Sequence, residues 1–243
     1  MEKISELSNP EFNNNTIVAY PSGMNIQPPG VQWLGDPLAP NSTEIDDRVF
    51  VAELLDHLGA TLCVDSKRVY AAGLSNGGGL TGLLMCDAQL NRRFAAFATV
   101  AGAFYLDASL AEPLFGAGCH PALGRRIVPY LNLHGAADAV VSYNGTNTPP
   151  PASIPVPEWV GSWAERNECD APSVSEAEGA TVEERRWTCR GKWDAVVSRR
   201  IDGFGHGWPS KKDQGEPFET LRGGPTGWDA TPLLLEWLGK WTL

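Results

Sequence analysis

The pentad Gly73-Leu74-Ser75-Asn76-Gly77 constrains this chain more than any other stretch. Ahead of it, Arg68-Val69-Tyr70-Ala71-Ala72 is short and mostly apolar, with a β-branched and an aromatic residue, and predicts a buried strand. Behind it, Gly78 and Gly79 lead into Leu80-Thr81-Gly82-Leu83-Leu84-Met85, which predicts a helix opening on glycines. A serine between the two stands on a sharp turn. The flanking glycines fit a strained backbone and a helix that passes close to its strand. The plainer alternative is a glycine-rich turn with a surface serine. A base and an acid further along the chain decide between them.

A serine hydroxyl is a weak nucleophile at neutral pH and needs a base, itself oriented by a third group. On a strand-turn-helix elbow of this kind, that of an α/β-hydrolase, the order is Ser, then Asp or Glu, then His. His206 stands in Gly205-His206-Gly207-Trp208-Pro209, directly after the strand-like run 195–201, which makes it the candidate base. His57 falls in a helical stretch before Ser75, and His120 sits beside Cys119 in an irregular segment. For the acid, Ile127-Val128-Pro129-Tyr130-Leu131-Asn132-Leu133 predicts a buried strand that ends in His134-Gly135-Ala136-Ala137-Asp138. Asp138 therefore lies on a loop at a strand's carboxyl end, between the serine and His206. Aspartate is also a common turn former. Its rivals are Asp107, Asp170 and Asp202, of which Asp202 is too near His206 in sequence to reach its Nδ1 easily. His134 is read as a residue that hydrogen-bonds the Asp138 loop without transferring protons.

The predicted strands 68–73, 94–101, 127–133 and 195–201 alternate with helices, the pattern of a mostly parallel sheet covered on both faces. A buried strand is also expected at 16–20 and loop over 24–40. Asp46 or Asp47 caps a helix through Val49, Phe50, Leu54, Leu55 and Leu58. The proline run 148–157 precedes a helix carrying Trp159 and Trp163, and Thr231-Pro232 opens a last helix. Of the nine tryptophans, Trp33, Trp208 and Trp228 fall in loops, where an aromatic ligand group can stack. Trp208, two residues from His206, is the leading candidate for substrate contact.

At 243 residues, 42% hydrophobic and 20% charged, the chain reads as one globular domain, 1–243. A net charge of −10 argues against nucleic acid, whose phosphates repel it, and suits an uncharged ester or neutral polysaccharide. No apolar run approaches the roughly 20 residues of a membrane span. Cys63, Cys86, Cys119, Cys169 and Cys189 show no zinc-site spacing, so no metal is expected. With the sequons at Asn14, Asn41 and Asn144 they favour an oxidising compartment.

The stretch 65–79 resembles the elbow region of secreted fungal feruloyl esterases, in the wider α/β-hydrolase group that includes polyhydroxybutyrate depolymerases. The likeness continues in Met85-Cys86-Asp87, Phe94-Ala95-Ala96-Phe97-Ala98, Leu133-His134-Gly135, Trp163-Ala164-Glu165-Arg166-Asn167-Glu168-Cys169, Gly205-His206-Gly207-Trp208-Pro209 and Asp229-Ala230-Thr231-Pro232. It implies a secreted, glycosylated, monomeric serine esterase without cofactor, freeing ferulic or related hydroxycinnamic acids from plant cell-wall polysaccharide such as arabinoxylan. Nucleophile, acid and base fall on Ser75, Asp138 and His206, and Asn76 N–H falls on one of two oxyanion donors. The disulfides implied are Cys86 with Cys119 and Cys169 with Cys189, leaving Cys63 over. Met1-Glu2-Lys3-Ile4-Ser5-Glu6-Leu7-Ser8 does not read as a signal peptide. It resembles the helix after the family's third strand, so the domain is expected to be truncated at its N-terminus. The missing part would hold the loop with the second oxyanion donor and the partner of Cys63. Two other esterase readings stand beside this one, an acetylxylan esterase and a polyhydroxyalkanoate depolymerase. A reading of another class is a non-catalytic α/β-hydrolase-like protein that binds a ligand or polysaccharide through its loops.

Overall fold

The computed structural model describes residues 1–25, 31–40, 42–106, 114–121, 123–124, 126–146 and 152–243. The breaker at 27–30, the Asn41 sequon, Asp107 and the 148–151 part of the proline run lie outside the described residues.

In chain order the elements are α1 (Glu2–Ser5), β1 (Met24–Asn25), β2 (Val31–Gln32), α2 (Asp47–Thr61), β3 (Tyr70–Leu74), α3 (Asn76–Cys86), β4 (Ala96–Val100) and β5 (Tyr130–Gly135). They continue with α4 (Val156–Arg166), β6 (Ser173–Ala177), β7 (Val182–Cys189), β8 (Lys192–Ile201), α5 (Phe218–Arg222) and α6 (Ala230–Leu238). Six strands form one sheet in the order β3-β4-β5-β8-β7-β6. β3, β4, β5 and β8 run parallel; β7 and β6 add antiparallel to β8.

Strand residues alternate between the two faces, and each face has its own core. On one side Phe97, Tyr130 and Val196 join α3 and α4, with Trp159 and Trp163 fully buried among them. On the other, Ala96, Ala98, Leu131, Leu133 and Val197 pack beneath α6 through Leu234 and Trp237. The first face also buries four polar side chains that bond to one another. Tyr130 Oη lies 2.6 Å from Thr99 Oγ1 and accepts from Trp159 Nε1 at 3.1 Å, while Thr99 Oγ1 donates to Asn132 Oδ1 at 3.1 Å. Such a ladder avoids the desolvation penalty of unpaired polar groups in the core.

The four parallel strands stand where the apolar runs predict them. Asp46, not Asp47, caps α2, its carboxylate accepting from Arg48 N–H at 2.9 Å. The 16–20 segment differs from expectation: it enters no strand, and Ile17 is 60% exposed. Within the 24–40 loop, β1 and β2 form a short antiparallel pair. The β6–β7 hairpin is absent from the sequence reading. Its stretch Val182-Glu183-Glu184-Arg185-Arg186 looks like surface, yet Glu184 is buried against Arg199 Nε at 2.8 Å.

Cys86–Cys119 ties the end of α3 to the loop after β4, and Cys169–Cys189 ties the end of α4 to β7. Cys63 is exposed and free. Among the described residues, no helix is long and apolar enough to cross a membrane. The Cys86–Cys119 bridge spans 33 residues. Replacing both cysteines by alanine should lower unfolding free energy by about 2–4 kcal/mol, whereas Cys63→Ser should change it little. Urea melts of the two variants check this.

Candidate active site

Three strand ends supply the groups: β3 leads into Ser75, β5 into Asp138 and β8 into His206. Ser75 sits between β3 and α3 with φ 56° and ψ −121°. That backbone is strained for a residue with a side chain, and the packing around it accounts for the strain. A Cβ on Gly73 would come within 2.0 Å of Gly77 O, and one on Gly78 within 2.7 Å of Gly102 Cα. The helix can press this close to β3 and β4 because these positions lack side chains. Ser75 N–H donates to Val100 O at 3.0 Å, and Ser75 O accepts from Gly79 and Ala103 N–H at 3.0 and 3.1 Å. These bonds fix the turn from both sides. The N–H of Asn76, first residue of α3, has no partner among the described residues, so it stands free at the positive end of the helix.

The Asn76 side chain is engaged elsewhere. Its Oδ1 accepts from Trp33 N–H at 2.7 Å, and its Nδ2 donates to Asp36 Oδ2 at 3.0 Å. Thus the loop 33–36 is latched to the elbow by bonds that span 40 and 43 residues of sequence.

Asp138 and His206 are brought together. His206 Nδ1 lies 2.8 Å from Asp138 Oδ2, and both are buried. The other carboxylate oxygen accepts from Val140 and Val141 N–H at 2.9 and 2.8 Å. Burial alone would raise the Asp138 pKa. Hydrogen bonds from His134 and His206, with the positive field of His206 and the Val141 N–H, outweigh it and hold the carboxyl well below its usual range. His134 Nε2 sits 2.8 Å from Val141 O and 3.4 Å from Asp138 Oδ2, a placement suited to steadying the loop. The rivals stand apart: Asp202 is half-exposed and paired with Arg200, and Asp170 is exposed. His57 and His120 are exposed.

The His206 loop is held by a residue that sequence reasoning missed. Arg222 is fully buried, and its guanidinium donates to Trp208 O, Ser210 O and Lys212 O at 3.3, 3.0 and 2.7 Å and pairs with Glu219. Leu221 O accepts from His206 N–H at 2.7 Å. No motif marks Arg222, because a lone arginine on a short polar helix looks like surface.

Trp208 is placed differently from the expectation of substrate contact. It is 1% exposed, in the α6-side core, and its Nε1 donates to Thr231 Oγ1 at 3.0 Å. A ring so enclosed presents no face to a ligand; it anchors the loop.

No hydrogen bond joins Ser75 Oγ to His206 among the described residues, and with Nδ1 turned to Asp138 the remaining ring nitrogen is Nε2. Catalytic contacts often close only around substrate. Two surface hollows of about 470 and 290 Å³ are lined by none of the three residues. Among the described residues, no group of three or more His, Cys, Asp or Glu is placed to hold a metal ion.

The chain is 31% identical over 211 residues to feruloyl esterase B of Piromyces equi, across 84% of this chain and 36% of that protein. The chain is a relative of the fungal feruloyl esterases, on an α/β-hydrolase fold. A probable feruloyl esterase C of Aspergillus clavatus is 29% identical over 100 residues, 41% of this chain and 31% of that protein. A bifunctional acetylxylan esterase/xylanase of Neocallimastix patriciarum is 32% identical over 97 residues, 40% of this chain and 12% of that protein. The chain spans about a third of the length of these feruloyl esterases. No family model matches it.

A test of the buried carboxylate follows from its depressed pKa. The unfolded chain takes up the Asp138 proton more readily than the folded one. Its contribution to stability is therefore complete above about pH 4 and drains away as pH falls through the folded-state value. Asp138→Asn should flatten the acid side of the stability–pH curve, measured as urea midpoints from pH 6 down to about 2.

Proposed function

We propose that this chain is a serine carboxylesterase domain that hydrolyses feruloyl and related hydroxycinnamoyl esters of plant cell-wall polysaccharide. The Asp138–His206 pair, standing beyond a serine held at positive φ on a strand-helix elbow, carries the reading. The similarity to feruloyl esterases supplies the acyl group and the polysaccharide. We extend the proposal to a single domain over 1–243, acting as a monomer outside the cell; the two disulfides are compatible with an oxidising compartment.

Ser75 Oγ adds to the ester carbonyl carbon while its proton passes to His206 Nε2. Asp138 holds the Nδ1–H tautomer and favours the imidazolium that forms. The negative charge arriving on the carbonyl oxygen meets the Asn76 N–H and the N-terminal end of α3. Breakdown expels the sugar alkoxide, which takes the proton from His206, and leaves the acyl chain on Ser75. Water then adds to the acyl carbon, giving a proton to His206. That proton returns to Ser75 as the carboxylic acid departs. No step requires a cofactor.

The Neocallimastix relative favours a second ester, the acetyl group of xylan, for the same machinery. Ser75→Ala should reduce hydrolysis of both methyl ferulate and p-nitrophenyl acetate by on the order of 10⁴ or more, with the melting temperature preserved. Activity surviving in a folded Ser75→Ala variant would remove Ser75 from the mechanism. The ratio of kcat/KM for the two esters separates the feruloyl from the acetyl reading.

A further inference from the structure

We propose that the indole N–H of Trp33 donates a hydrogen bond to the substrate carbonyl oxygen at the Ser75 elbow. The proposal rests on the serine-esterase reading above. As Ser75 adds to the ester, the carbonyl oxygen becomes an oxyanion, and donors already aimed at it lower the barrier. The backbone offers the N–H of Asn76. The Asn76 carboxamide is not available as a second donor, because it is spent on Trp33 and Asp36. Its bonds instead place Trp33 beside the elbow.

Among the described residues, the surroundings of the indole leave one edge unused. A Cβ built on Gly23 would lie 3.1 Å from Trp33 Cδ2, so the Gly23 backbone packs against the benzo side. Phe50 stacks with the indole at 6.2 Å between centroids and 24° between planes. Nε1 is turned to the first turn of α3: it is the atom that a Cβ on Gly77 would meet, at 3.9 Å. Gly77 has no side chain to fill that gap, which leaves room for a ligand oxygen. Trp33 Nε1–H makes no hydrogen bond among the described residues. It is not fully sealed, unlike the indole nitrogens of Trp163 and Trp241.

Tyr105 senses charges from both halves of the site. Its phenol is pushed up to about 12, first by burial and then by the charges of Asp36 and Asp138. Asp36 belongs to the Trp33 latch and Asp138 to the His206 pair. The phenol lies in the field of both carboxylates.

Trp33→Phe keeps an aromatic ring and removes the N–H. It should lower kcat/KM about 10²–10³-fold on methyl ferulate and on p-nitrophenyl acetate alike. The loss should fall on kcat with KM little changed, because the donor acts on charge that develops in the transition state of both. A direct readout avoids any folding defect of the variant. In the wild-type chain labelled with ¹⁵N-tryptophan, phosphonylation of Ser75 by a fluorophosphonate should shift the Trp33 indole N–H resonance downfield. Trp33→Phe within threefold of an active wild type, or an indole resonance unmoved by phosphonylation, overturns this proposal alone. A wild-type chain inert to both esters and to the fluorophosphonate removes the esterase reading, and this proposal with it.

Discussion

Everything at the candidate site depends on how closely α3 packs against β3 and β4. At Gly73 and Gly78 a single added carbon would overlap the backbone of Gly77 and Gly102. This contact brings the helix start up to the strand ends and forces Ser75 to positive φ. The strain is confined to one residue and held there by backbone hydrogen bonds to Val100, Gly79 and Ala103. With the turn so fixed, Ser75 and the Asn76 N–H stand at the carboxyl end of β3, on the carboxyl edge of the parallel strands. Ligand sites of open α/β sheets gather at that edge.

His206 is secured by a different device. β5 and β8 are neighbours in the sheet, so the loops that follow them meet, and Asp138 faces His206 across 68 residues of sequence. The approach is again close: a Cβ on Gly135 would strike Phe204 O at 2.2 Å. Arg222 then ties the His206 loop from beneath, with carbonyl oxygens taking up donors of both its terminal nitrogens. A buried guanidinium is tolerable because those oxygens and Glu219 compensate it. The arrangement positions the imidazole before any substrate arrives, which is what a general base requires.

The local chemistry of this site was readable in the sequence, and its long-range ties were not. β3, β4, β5 and β8 show as short apolar runs because both of their faces are covered. Gly-x-Ser-x-Gly, the Asp138 loop and Gly205-His206-Gly207 mark strand ends through turn residues. β7 reads as surface because ion pairs bury charged side chains such as Glu184 that composition assigns to solvent, and β6 because most of its residues are exposed. The 16–20 run misled in the opposite sense: it has the residues of a strand and no neighbour to pair with among the described residues. Trp208 stands two residues from His206 in sequence, yet its indole turns into the core toward Thr231. The Asn76–Asp36–Trp33 latch joins segments some 40 residues apart through side-chain amide bonds, and no periodicity encodes that.

The central claim is that Ser75 is chemically activated by His206. Incubating the folded chain with a fluorophosphonate and mapping the adduct by peptide mass spectrometry tests it most directly. The account predicts a single adduct, on Ser75, which disappears in His206→Ala while His57→Ala and His120→Ala keep it. A folded chain that forms no adduct, or one that reacts equally well without His206, would contradict it and leave an α/β-hydrolase fold that binds without catalysing.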